Sequence, residues 1–382
     1  MSESSRVPIS IVLVAETFSI GEHELNEEFA LPAGAAWISL EAEASVLDRL
    51  DEFIKNDSAK IIYIQISIAT KLHDVIGDLL DYELEALVEF ELLTVVSVLD
   101  APTLMTSLLR DSPAMAAKKI RNQDPEESTL RSAELLIERI EFSAFIVLRK
   151  AYEVEPRQMA QMESLLRRLN PSAKVVAASL SSPILASEFV TVDPYDVERV
   201  ELSAGWLCQI AGEFDGRGEE NGIDSFSYRA HRPFHPERLG DLLQQFDLPG
   251  MVRGSGRIWI ATRHNEMGVL SLTTGTAWMV YGGVWFAAMP ASGWPADSDA
   301  REAIMESWVL PFGDRCQELA FIGVNMEIKS IREQLNSCLL NDDEMRDGPD
   351  SWRNFSDPLP EWYGTDEDES SEQASDGSGQ LS

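Results

Sequence analysis

The residues best placed to do chemistry are arginines. Arg229, Arg232, Arg238, Arg253, Arg257 and Arg263 form the densest basic stretch of a chain whose Asp and Glu number 65 against 31 Lys and Arg, a formal charge of −34. A guanidinium matches a phosphate or a carboxylate with two parallel hydrogen bonds. Gathered on one face by strand pairing, these side chains would contact a phosphate or a carboxylate-rich partner. Paired with nearby acids, they would be structural, and the sequence leaves both readings open. His231 and His235 stand at the spacing of a metal pair on a helix, but Pro233 and Pro236 forbid a continuous helix across them. His235 instead reads as the residue before a helix that starts at Pro236, and it joins the arginines as a candidate interaction residue.

Other reactive types are sparse. Cys208, Cys316 and Cys338 make no CxxC pair, and His23 and His73 are solitary. Thiolates or imidazoles would have to converge to hold a soft cation, so no metal site is expected. Glu83, Glu85, Glu89 and Glu91 surround an apolar segment and read as a solvated helix face, and Asp314 with Arg315 as a turn with an ion pair. No catalytic group and no cofactor is expected from these residues. Trp259, Trp278, Trp285, Phe286 and Trp308 read as core, with a Trp-lined protein-binding surface as the sharper alternative.

Two kinds of scaffold must position these groups. Only Gly21, Gly34 and Gly77 precede residue 205, and Trp37 is the only tryptophan before Trp206. The glycine-poor half alternates apolar, β-branched runs (7–15, 37–40, 60–68, 92–99, 144–148, 174–178) with helical spacing (22–29, 44–53, 71–87, 129–140, 156–169). That alternation predicts βαβ units and a mostly parallel sheet. The second half predicts an α+β domain, with strands at 225–230, 257–262, 268–271, 277–280, 284–289 and 318–323 and helices at 236–246, 300–308 and 327–340. The expected divisions are a first domain at 1–211, a polar, Gly-rich linker at 212–223, a second domain at 224–363 and a disordered acidic tail at 364–382.

An acidic chain repels phosphate backbones, so extended contact with nucleic acid is not expected, whereas a basic protein partner is. No apolar run reaches the roughly 20 residues that span a bilayer, so no membrane contact is expected. Three scattered cysteines and an N-terminus without a basic-then-apolar leader predict a reducing cytoplasm.

Four motifs then occur in one order: Arg232-Pro233-Phe234-His235-Pro236, Arg257-Ile258-Trp259-Ile260, Gly313-Asp314-Arg315-Cys316 and Leu339-Leu340-Asn341-Asp342-Asp343-Glu344-Met345. Together they resemble the C-terminal domain of the CobW family of metal-homeostasis GTPases. The resemblance covers about a third of the chain, and it implies a P-loop GTPase fold for the half that precedes it. The motifs of that half are degenerate. A P-loop needs GxxxxGK[ST] after the first strand, for backbone N–H groups, a phosphate-binding lysine and a magnesium-binding hydroxyl. Here the strand runs into Glu16-Thr17-Phe18-Ser19-Ile20-Gly21-Glu22, and no Gly-Lys pair occurs anywhere in the chain. A carboxylate in place of the lysine would cost about 4 kcal/mol against a phosphate charge about 4 Å away. The family's acidic-Gly segment falls on Gln65-Ile66-Ser67-Ile68, its guanine-reading segment on Arg149-Lys150-Ala151-Tyr152, and its Cys-x-Cys-Cys near Trp37-Ile38-Ser39-Leu40-Glu41. Only Lys150 matches.

Within the family the combination is most similar to an actinobacterial branch of ribosome-remodelling factors, which helps install a hibernation factor during zinc starvation. The resemblance implies a pseudo-GTPase acting as a protein adaptor, with a ribosomal protein or a hibernation factor as partner. The other reading is a GTP-dependent metallochaperone with an unconventional nucleotide site. That branch keeps a Cys-x-x-Cys in its first half and this chain does not, which puts zinc sensing by this chain in doubt.

Overall fold

The computed structural model describes residues 9–16, 29–40, 45–56, 59–67, 70–85, 90–109, 120–121, 132–178, 184–190, 195–197, 200, 204–212, 221–245 and 248–362. Gly21, Glu22, His23, most of the expected linker and the acidic tail lie outside them. The chain forms two compact units: Met1–Arg110 with Leu130–Cys208 and Glu219–Ile223, and Asp111–Thr129 with Gln209–Gly218 and Asp224–Ser382.

The first unit is built on strands β1 (Ile9–Glu16), β2 (Ala35–Leu40), β3 (Ile61–Ile66), β4 (Phe90–Asp100), β5 (Phe145–Arg149) and β6 (Lys174–Ala177). They lie in the order β2-β3-β1-β4-β5-β6 and every pairing is parallel. Helices α1 (Val46–Asn56), α2 (Leu72–Glu85), α3 (Ala101–Leu109), α4 (Ser132–Phe142) and α5 (Pro156–Leu169) occupy the crossovers. A parallel sheet covered on both faces needs apolar residues at every position, and β1 supplies them. Ile11, Leu13 and Ala15 pack towards Leu50, Val75 and Ile76 of α1 and α2. Val12 and Val14 pack on the other side with Phe29, Ile184 and Phe189. Chain order reverses around β1, which places the crevice of such a fold beyond the carboxyl ends of β1, β3 and β4. Among the described residues no helix is long and apolar enough to cross a membrane.

The second unit holds β7 (Ile223–Ala230), β8 (Met251–Ile258), β9 (Glu266–Thr273), β10 (Thr276–Val284) and β11 (Gln317–Val324), in the order β7-β11-β8-β9-β10. The pairings β8–β9, β8–β11 and β9–β10 are antiparallel, and Ile120–Arg121 adds a short parallel edge to β10. Helix α6 (Gly205–Ala211) begins among the first unit's residues and ends among the second's, and α7 (Pro236–Gln245), α8 (Ser298–Glu306), α9 (Ile328–Cys338), α10 (Asp342–Asp347) and α11 (Pro349–Trp352) belong to the second. Leu239 and Leu243 of α7 and Ile331 and Leu335 of α9 share one core with Ile258, Leu270, Leu319 and Phe321 of the sheet.

Most expected elements shift by a few residues at their ends, and three differences from the sequence reading have a clear physical cause. The strand expected at 257–262 instead runs Met251–Ile258, so only its last two residues fall in the expected range, and its earlier part is hidden from pattern reading by Gly254 and Gly256. Gly256 sits at φ +146°, where a Cβ would lie 2.1 Å from the Glu318 carbonyl oxygen, so only glycine fits beneath β11. The stretch expected as a strand at 284–289 ends its pairing at Val284 and turns through a 3-10 helix, Phe286–Ala288, whose first two N–H groups donate to the Asp314 carboxylate at 2.9 Å each. Helix α3 is missed because nearly all of its residues are apolar or small, which leaves no polar face to set a period.

Behind β8 lies an aromatic cluster of Trp259, His264, Phe312 and Trp352. Burial first, then the guanidinium groups of Arg315 and Arg353, hold the His264 imidazole down at about 4. The group is neutral in the folded protein at pH 7, while the unfolded chain protonates it near 6.5. Stability from this site is therefore full above about pH 6.5 and declines as pH falls towards about 4. Thermal melts across that window should show the decline, and His264→Phe, which keeps the ring packing, should make it shallower. Equal slopes for the two proteins would refute the assignment.

Candidate functional site

The second unit brings two of the expected interaction residues, Arg232 and Arg238, to one groove, with His235 on the adjoining strap. Residues 231–235 form a strap between the sheet and the end of α9. Phe234 N–H donates to the Trp259 carbonyl at 2.9 Å, Ala261 N–H to Phe234 at 3.0 Å, His235 N–H to Cys338 at 2.8 Å and Leu340 N–H to Pro233 at 3.0 Å. Pro236 suits this path at the first turn of α7, and Pro233, which has no N–H, contributes only its carbonyl. The Gln317 side chain, fully buried, fastens the other side: it accepts from Trp259 N–H at 3.0 Å and donates to the Trp259 and Arg232 carbonyls at 2.7 and 3.0 Å.

Held this way, Arg232 and Arg238 line an open groove of about 540 Å³ with Asn336, Ser337, Leu339 and Asn341. Arg238 grips Glu344 with two bonds of 2.9 and 2.7 Å and donates to the Leu339 carbonyl at 3.0 Å. Arg232 donates to Asp342 at 2.7 Å and to the Leu340 carbonyl at 3.2 Å. Asn341 caps α10 by accepting from Asp343 and Glu344 N–H, while Glu344 accepts from Asn341 N–H, a complete capping box. Glu344 therefore satisfies a helix terminus and an arginine together, and the Arg238 hydrogen bond holds its carboxyl below the usual range. The His235 ring stacks on Phe355 at 4.8 Å. Burial, then Arg238, lowers its pKa, and its buried Nδ1 has no hydrogen-bond partner.

The remaining arginines are not brought to that groove. Arg229 and Arg257 converge on Glu318, each Nε donating at 2.8 Å. Arg253 is buried and donates to Ser271 Oγ at 2.7 Å. Arg263 donates to Asp357 at 3.0 Å and to the Leu359 carbonyl at 3.1 Å, with its guanidinium 4.4 Å from the Trp362 ring. The acids Glu318, Asp342, Glu344 and Asp357 were not singled out individually from sequence. The signal for one was present: Asn341-x-x-Glu344 has the capping-box spacing. The expected Trp set divides, since Trp259 and Trp285 are fully buried while Trp278, Phe286 and Trp308 are half-buried.

At the carboxyl ends of the first unit's strands, the stretches that stand where family motifs would fall meet one another. Trp37 Nε1 and Ser39 Oγ both donate to Gln65 Oε1 at 3.1 Å, and Gln65 Nε2 donates to Glu16 Oε2 at 3.0 Å. The buried Arg139 donates to the backbone carbonyls of Glu16 (3.0 Å), Ser67 (2.9 Å), Thr70 (3.1 Å) and Leu135 (3.3 Å). Lys150, in the left-handed region at φ 52°, pairs with Asp100 at 3.1 Å, and that hydrogen bond raises its pKa. Tyr152 is exposed. Of these groups a triphosphate would meet a buried carboxylate and a guanidinium committed to carbonyl oxygens, neither of which offers it a free donor, and the loop at 17–28 lies outside the described residues. Among the described residues no three His, Cys, Asp or Glu side chains converge to hold a metal ion.

Comparison with known proteins gives a consistent relation. Residues 223–339 match the family model of the cobalamin synthesis protein cobW C-terminal domain. The chain is 32% identical over 269 residues to the zinc-regulated GTPase metalloprotein activator 1 of Dictyostelium discoideum, covering 70% of this chain and 56% of that protein. It is 29% identical over 248 residues to a zinc chaperone of Mycobacterium tuberculosis, covering 60% of this chain and 55% of that one. The chain thus spans about half the length of the curated relatives it matches. A zinc-bound YjiA GTPase structure from E. coli aligns over 87% of this chain at 12% identity with a TM-score of 0.33, too distant to bear on the geometry described above.

Proposed function

For a chain that belongs to the CobW family, we propose a role in zinc homeostasis as a protein adaptor that does not hydrolyse GTP. The observation that carries this reading is the carboxyl end of β1. It delivers the buried Glu16 carboxylate, hydrogen-bonded to Gln65, to the position where a nucleotide-binding fold needs cations and open N–H groups. The absence of any Gly-Lys pair from the sequence supports the same conclusion. The second unit then supplies the recognition surface. Arg232 and Arg238, each paired with an acid, line a groove with Asn336 and Asn341 that an amide-rich segment would fill, and His235 lies on the adjoining strap. Arg229, Arg253, Arg257 and Arg263 brace the sheet behind it through Glu318, Ser271 and Asp357. The partner is a protein, and within that class a ribosomal protein or a hibernation factor met under zinc limitation.

The names of the relatives favour a second reading, a GTP-dependent metallochaperone. Calorimetric titration with GTP and magnesium separates the two. The adaptor reading expects no measurable heat. Binding tighter than about 10 μM, roughly −7 kcal/mol, would reject it. Co-sedimentation with ribosomes from zinc-limited cells tests the narrower partner assignment. A chain that stays in the soluble fraction there, with no GTP heat, leaves an adaptor whose partner is another protein.

A further inference from the structure

Helix α8 is held in an unusual way. Nine residues long, it has no fully buried side chain, and a helix of that length has marginal stability by itself in water. Two features fix it. Asp297 caps its N-terminus by accepting from Ala300 N–H at 2.8 Å, and the residues flanking it close as an aromatic clasp. Trp294 and Trp308 meet at 5.5 Å between centroids, and Phe286 meets Trp294 at 5.8 Å. All three rings are half-buried. Beside the clasp, Met305, Val309 and Leu310 are exposed by 52%, 42% and 82%. Exposed large apolar side chains close together in sequence, one at the end of a helix with no buried residue and two just after it, have the composition of an interface.

The charges beside this patch indicate what would cover it. Asp297, Asp299, Glu302 and Glu306 are exposed on and next to α8. The one arginine of the helix, Arg301, turns its Nε to the Pro295 carbonyl. Aromatic faces attract cations, and ring faces flanked by carboxylates do so more strongly. A second copy of this chain would bring the same carboxylates and a formal charge of −34, so self-pairing through this face is disfavoured. We infer that the Trp294–Trp308 clasp with Met305 and Leu310 is a docking surface for a cationic protein segment that carries an apolar anchor. The apolar anchor would cover Met305 and Leu310, and its arginines or lysines would lie over the tryptophan rings within reach of Glu302 and Glu306. This surface is separate from the arginine groove, and the inference does not depend on the zinc or nucleotide readings.

The test uses the full chain and a short fluorescein-labelled peptide of alternating arginine and leucine, followed by fluorescence anisotropy at two salt concentrations. The wild-type protein should bind it. The double variant Met305→Ser, Leu310→Ser should bind it about tenfold or more weakly, because the anchor site is lost while the charge is unchanged. Glu302→Gln with Glu306→Gln should bind it several-fold more weakly with a flatter salt dependence. All these side chains are exposed, so the melting temperature should stay at the wild-type value. Wild-type affinity in the serine variant would overturn the inference, since general acidity would then account for the binding. Equal affinity for a glutamate-leucine peptide would also overturn it. So would a wild-type dimer that dissociates on Leu310→Ser, because the occupant would then be a second copy.

Discussion

Arg139→Leu should lower the stability of the first unit by about 3–5 kcal/mol, near the upper end of what one substitution does. Arg139 is 0% exposed in a cluster of backbone oxygens, and its three guanidinium nitrogens reach four carbonyls drawn from β1, the segment after β3 and α4 itself. The Ser67 carbonyl also accepts from Thr70 N–H at 3.1 Å, so the guanidinium ties an existing turn to β1 and α4. Leucine would fill much of the volume and take one donor from each of these oxygens, at a cost of about 1–3 kcal/mol for any left unpaired. Arg139→Lys should recover only part of the loss, because its three donors radiate from one nitrogen and cannot reach oxygens that meet three separate guanidinium nitrogens. Urea unfolding monitored by far-ultraviolet circular dichroism reads the effect. A midpoint within error of wild type for Arg139→Leu would show that these carbonyls are satisfied otherwise. The consequence extends beyond stability. Arg139 joins the carboxyl ends of β1 and β3, so its loss should also free the Glu16–Gln65 pair that closes this end of the sheet.

The second large effect is expected at Trp259. Trp259→Ala should destabilise the second unit by about 3–5 kcal/mol, through lost burial and the cavity left behind. Its ring is fully buried and lies 5.2 Å from Phe312 and 6.1 Å from Trp352 between centroids. Its backbone carries the strap, because the Trp259 carbonyl accepts from Phe234 N–H and from Gln317. A cavity here should therefore loosen the approach to Arg232 and His235 as well as the core. Trp259→Phe should cost much less, about 1 kcal/mol, because the indole Nε1 is buried without a hydrogen-bond partner and its removal orphans nothing. Thermal denaturation of both variants decides the point. Similar losses for Phe and Ala would mean that the indole makes a contact the ring geometry does not account for.

Hydrophobic period alone identified β1, β3, β4 and β5, because a two-sided parallel sheet writes continuous apolar runs into the sequence. The helix at Pro156–Leu169 was legible to the residue, with proline opening it and a strong apolar stripe along it. Where a local signal was absent, so was the reading. The glycines of β8 serve a neighbouring strand, and the turn after β10 is set by Asp314, which lies beyond the next helix.

The site was legible in residue type and not in arrangement. The sequence by itself determined that this chain is acidic, that it carries the four motifs resembling the CobW C-terminal domain, and that it has no Gly-Lys pair for a P-loop. Those are properties of residues and short spacings. Only the tertiary structure decided which acid each arginine meets. Arg232 and Asp342 are 110 residues apart in sequence, Arg238 and Glu344 are 106, and Arg229 and Glu318 are 89. In an acidic chain almost any carboxylate could serve as a partner, and the choice is made by strand order and by where the strap crosses the sheet. The same holds for the clasp beside α8: the sequence shows tryptophans, and the fold alone determines that the two flanking this helix meet while its side chains remain largely in solvent.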